Sequence, residues 1–147
     1  MGQLTVADID ARLAATDTFR HYRYWQTEHI NDVNTRDLDR ACKIDGFIYP
    51  TDHPGAFMPV GVRHQTRYDY QTVTLRRSEV RRLLSTSQPQ PQLLIHCYKA
   101  HTLIADLVMI RAHWHRIPRE WLKNGADGND FLVIHKDTLI DVGALWD

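Results

Sequence analysis

Ile44-Asp45-Gly46-Phe47-Ile48-Tyr49 is the stretch on which the fold turns. Its aromatic and β-branched residues read as a strand, and Pro50 through Gly55, with two prolines and a glycine, favours a turn directly after it. Met58 to Thr66 then supplies a second strand, and beyond the polar break at Arg67 to Tyr70 the β-branched run Gln71-Thr72-Val73-Thr74-Leu75 supplies a third. Ile44 to Leu75 is therefore expected to be a three-stranded meander.

Toward the N-terminus the signals are helical. Thr5 with Asp8 three residues on resembles a capping box, and Ile9, Leu13 and Ala14 follow on one side. Phe19, Tyr22, Trp25 and Ile30 approximate an apolar stripe, so a second helix is expected over Thr18 to Ile30, with a third beginning near Thr35. Toward the C-terminus a helix is expected from about Ser78, with Val80, Leu83 and Leu84 turned to a core, and Ser85 to Gln92 reads as an extended connector. Leu93-Leu94-Ile95-His96-Cys97-Tyr98 is nearly continuous and apolar, as a strand buried on both faces and reached by a crossover should be. Ala105 to Ile110 is expected to be a strand, Pro118 to Lys123 a short helix, Phe131 to His135 a strand, and Asp137 to Val142 a terminal helix. The sum is an α/β chain built on a mixed sheet with flanking helices.

A length of 147 residues, 43% of them hydrophobic, suits one core rather than two, so residues 1–147 are expected to form a single domain. No apolar stretch is long enough for a membrane span and the N-terminus has no signal pattern, which predicts a soluble cytoplasmic protein. Two cysteines, Cys42 and Cys97, with no paired spacing fit buried free thiols in a reducing compartment. Net charge is zero, yet Arg63, Arg67, Arg76, Arg77, Arg81 and Arg82 face only Asp69 and Glu79 in their segment. Such a cluster suits phosphate contacts, and the same residues also fit the solvated face of a helix.

The order helix, meander, helix, strand resembles the PD-(D/E)XK nuclease superfamily, and within it the small stand-alone and homing-endonuclease-like members. The resemblance runs from the segment bearing Glu28, through Ile44-Asp45-Gly46 and Val60-Gly61-Val62-Arg63-His64-Gln65-Thr66, to Leu93 through Lys99. It implies a restriction-endonuclease-like fold, a Mg²⁺-dependent DNA endonuclease, double-stranded DNA as partner and a homodimer or homotetramer. In such sites carboxylates hold the metal and a lysine helps the attacking water. Carried over, the resemblance makes Asp45 a metal ligand, Glu28 a second ligand or its support, Gln65 an amide donor and Lys99 the displaced lysine. Arg63 falls where the superfamily has Asp, Glu or Gln, and Gln65 where it has lysine. A guanidinium carries only donors and ligates no metal. The alternative that follows is a catalytically inactive relative that binds DNA or a protein, with Arg63 in the old site.

Other chemistry is weaker. Asp45 before Gly46 also fits a turn residue bonded to local backbone. His64-Gln65-Thr66 matches half of a two-histidine phosphodiesterase, but His96, His101 and His135 offer no second half. His113-Trp114-His115 lacks a nearby third ligand for zinc.

Overall fold

The computed structural model describes residues 4–26, 44–64, 71–85, 91–118, 120–123 and 130–146. Its first helix, α1 (Val6–Ala14), is fixed by the expected capping box, in which the Thr5 side chain accepts from the Asp8 N–H and the Asp8 carboxylate accepts from the Thr5 N–H. Ile9 and Leu13 are its buried face.

The next element departs from expectation. Tyr22–Gln26 is a strand, β1, where the aromatic spacing suggested a helix. It pairs antiparallel with β2 (Gly46–Pro50), and on its other edge the Asp10 carboxylate of α1 accepts from the Tyr24 N–H at 2.7 Å. Pairing and capping from distant residues outweigh the local stripe. β2 turns into β3 (Met58–His64) as a hairpin, as expected. The third strand of the expected meander, β4 (Thr72–Arg76), leaves this sheet and joins another, so the antiparallel meander here is β1-β2-β3.

A crossover through β4 and α2 (Arg77–Leu84) then returns the chain as β5 (Leu93–Cys97), parallel to β3 and fully buried along its length. β6 (Thr102–Asp106) follows antiparallel and ends where the Asp106 carboxylate accepts from the Met109 N–H, capping α3 (Leu107–Ala112). The expected strand over Ala105 to Ile110 is thus cut in two by an N-cap aspartate, most of it becoming helix. A 3₁₀ turn at Trp114–Arg116 precedes β7 (Glu120–Lys123), a strand where a helix was expected. β8 (Asp130–His135), α4 (Lys136–Asp141) and the short β9 (Leu145–Trp146) close the chain, the first two as expected.

Among the described residues the strands form a six-stranded mixed sheet, β1-β2-β3-β5-β6-β9, and a three-stranded antiparallel sheet, β4-β8-β7. Alternation along β5 divides the core. Leu93, Ile95 and Cys97 pack with Ile9 and Leu13 of α1, while Leu94 and Tyr98 pack with Val73 and Leu75 of β4, Leu132 and Ile134 of β8, and the later helices. The larger sheet therefore has α1 on one face and the smaller sheet on the other.

The two sheets are joined through the free edge of β4. Gln71 O accepts from Lys136 N on the β8 side, so the N–H and C=O groups of Thr72 and Thr74 point away from β8. There they meet side chains of β5. The Tyr98 hydroxyl donates to Thr72 O, and the Thr74 N–H donates to His96 Nε2 at 3.3 Å. One residue pair further along, the Arg76 N–H donates to Glu79 Oε1 at 2.9 Å.

Candidate nucleic-acid interface

Arg63 projects from β3 toward the smaller sheet, directly beside its register partner His96 on β5. Its guanidinium is mostly buried and donates to the Glu79 carboxylate, which also accepts from the Arg76 N–H. One carboxylate thus ties β3, the end of β4 and the start of α2. Burial, with the Arg76 charge adding to it, lowers the Arg63 guanidinium to about 10, still leaving it a cation near neutrality. His96 is fully buried, and burial next to Arg63 depresses its ring to about 3, so it is neutral. Because Nε2 accepts from Thr74, the ring proton sits on Nδ1. The Tyr98 ring lies 4.9 Å from it, centroid to centroid.

Asp45 shares the hairpin with Arg63, and its carboxylate is used by the backbone: Oδ2 accepts from the Val62 N–H at 2.7 Å, while its own N–H donates to Val60 O. This is the local backbone role that a strand-entrance aspartate before glycine allows. Its carbonyl accepts from the Tyr24 hydroxyl at 3.3 Å, and burial with this negative neighbour pushes the Tyr24 hydroxyl up.

The remaining expected site residues are dispersed. Lys99 lies exposed on the β5–β6 turn, beside α1, where Arg12 donates to the carbonyls of Tyr98, Lys99 and His101. It lines a groove with Asp8 and Arg12 on the α1 side, so the structure sets it with α1 and not with the Arg63 side chain between the sheets. Glu28, Gln65 and Arg67 lie outside the described residues, as does Cys42. Cys97 is a buried free thiol whose ionisation burial raises to about 11. Among the described residues no cluster of three His, Cys, Asp or Glu side chains is positioned to hold a metal, and no helix is long and apolar enough to cross a membrane.

The arginines of α2 divide by face. Arg82 is buried with Val80 and Leu83, which takes it out of reach of any ligand on the outer side. Arg76, Arg77 and Arg81 are exposed, and Arg77 and Arg81, four apart, share a helical face. The Arg77 guanidinium lies 4.4 Å above the Trp121 ring.

Sequence reading missed an aromatic group at the β1–β2 end of the larger sheet, exposed among the described residues. Tyr24 and Ile48 turn inward, and the residues alternating with them, Trp25 on β1 and Phe47 and Tyr49 on β2, turn to the opposite face. With Pro54 and Phe57 they line an open pocket of about 330 Å³. Period-two alternation along Gly46 to Pro50 was the available signal. Along β1 the helix-like spacing of Phe19, Tyr22 and Trp25 obscures the same alternation. Comparison of the chain with protein-family models, curated proteins and solved structures gave no match.

Proposed function

We propose that the chain binds nucleic acid through the exposed arginines at the start of α2, as a nuclease-like module in which a fixed cation replaces the metal site. The observation that carries this is the Arg63–Glu79 pair. The position at which the resembled enzymes present a metal-binding group here presents a guanidinium already neutralised by a carboxylate from α2. Arg76, Arg77 and Arg81 beside it are exposed, Arg77 with its guanidinium over the Trp121 ring, and exposed arginine suits phosphodiester oxygens.

Affinity for short duplex DNA should fall steeply as salt is added, because each neutralised phosphate releases condensed counterions. Replacing Arg76, Arg77 and Arg81 by Glu should weaken binding at least tenfold and flatten the salt dependence. Binding that survives the triple replacement unchanged would rule out this ridge. The catalytic reading, a Mg²⁺-dependent endonuclease, is favoured by one observation, the placement of Asp45 in the same hairpin as Arg63. A rise in melting temperature with millimolar Mg²⁺ that Asp45→Asn removes, together with Mg²⁺-dependent DNA cleavage, would establish it in place of the binding module.

A further inference from the structure

Trp121 stands where the core of the smaller sheet meets solvent. Its register partner on β8 is Leu132, which is fully buried, so both side chains rise on the face that packs with Val80 and Leu83 of α2. β7 is the last strand in the order β4-β8-β7, and the Trp121 ring is 36% exposed at the margin of what α2 covers. The first residue of α2 closes over it: the Arg77 guanidinium lies 4.4 Å from the ring centroid.

Repulsion gives this contact its importance. Arg77 and Arg81 are exposed, four residues apart on one helical face, and like charges at that spacing push each other away. Arg76 adds another exposed cation next to Arg77. A long side chain so placed spreads over many rotamers, and a phosphate contact must first gather it into one. The π face of Trp121 attracts the guanidinium and restricts it before any ligand arrives. Arginine is also the cation that gains from such restriction, since its planar fork can give two parallel N–H bonds to one phosphate where lysine offers a point charge. We infer that Trp121 is a positioning residue, which holds the Arg77 guanidinium for a two-pronged contact with a single phosphodiester group. The inference rests on the nucleic-acid reading above and adds to it which arginine of the ridge is set in advance, and by what.

The test is anisotropy of a labelled short DNA duplex at several salt concentrations, with wild type, Trp121→Leu, Arg77→Lys, Arg77→Ala, the Trp121→Leu/Arg77→Ala double replacement and the Arg76/Arg77/Arg81 triple replacement. Trp121→Leu fills apolar volume without a π face and should weaken binding about 2- to 5-fold, the worth of one exposed cation–π contact. Its salt dependence should match wild type, because no charge has been removed. Arg77→Lys, at an exposed position where folding is not at stake, should lose affinity to a similar degree, again with the salt dependence of wild type. In the Arg77→Ala background Trp121→Leu should cost nothing more, the mark of one group acting through another. An equal loss from Trp121→Leu in both backgrounds, or Arg77→Lys binding as tightly as wild type, overturns the positioning role. Binding lost in the triple replacement but unaffected by Trp121→Leu overturns it too, and leaves the ridge standing as the binding surface. Failure of wild type to bind the duplex overturns both.

Discussion

His96 is a buried polar side chain whose worth comes from the backbone group it satisfies. Replacing it with Phe would leave the Thr74 N–H buried without an acceptor, and the expected loss is about 1–3 kcal/mol in urea denaturation at neutral pH. The ring also makes stability depend on acidity. Its folded-state value of about 3 lies below the ordinary 6.5, so between these limits the unfolded chain binds a proton that the folded chain refuses. Its contribution is therefore full above about pH 6.5 and is lost as the pH falls toward 3. The urea midpoint of the wild type should drop across this window more than that of His96→Gln, which cannot protonate; parallel curves would remove the ring from the account. Arg63 and Glu79 behave as a unit. Glu79→Leu alone strands a buried guanidinium and should destabilise by about 3–5 kcal/mol, whereas Glu79→Leu combined with Arg63→Met should recover much of that loss.

The strand β2 depends on having no side chain at its first residue. A Cβ on Gly46 would lie 2.4 Å from Trp25 O and 2.7 Å from the Tyr24 ring, and the backbone oxygen is held in the β1–β2 ladder. Gly46→Ala should destabilise by about 1–3 kcal/mol through forced displacement of β1, read as a lower melting temperature. The same strand pair shows what was legible in the sequence. β2, β3 and β5 declared themselves, because Phe47 to Tyr49 is bounded by turn residues and Leu93 to Cys97 is apolar on both faces. β1 did not, because only Tyr24 along it is buried, and the contacts that make it a strand come from β2 and Asp10. Ala105 to Ile110 misled because an apolar run looks alike in strand and helix. Asp106 within it, accepting from the Met109 N–H, is the mark that separates the two. For the candidate site, Asp45 and Arg63 were readable as neighbours since one hairpin carries both. Glu79 and His96, their partners in space, come from later elements, and no spacing in the sequence announces such pairing.

The larger sheet belongs to both hydrophobic clusters, with β5 sending alternate side chains into each. Neither cluster can melt without stripping one face of the same strand, so unfolding should be a single transition. Trp fluorescence and far-ultraviolet circular dichroism should give superimposable urea curves; separated midpoints would show that the smaller sheet and its helices unfold on their own. The edge of β4 carries a further consequence. A strand flanked on one side only is a template onto which another molecule can add a strand, the starting step of aggregation. Here the outward groups of Thr72, Thr74 and Arg76 are held by Tyr98, His96 and Glu79, so the template is masked by side chains instead of by a neighbouring strand. A mask that includes an imidazole weakens in acid, where the ring gains a proton and can no longer accept from the Thr74 N–H. The protein is therefore expected to be most prone to intermolecular β-pairing not when fully unfolded but as the pH falls toward 3, while β4 is still formed and its edge has just been uncovered.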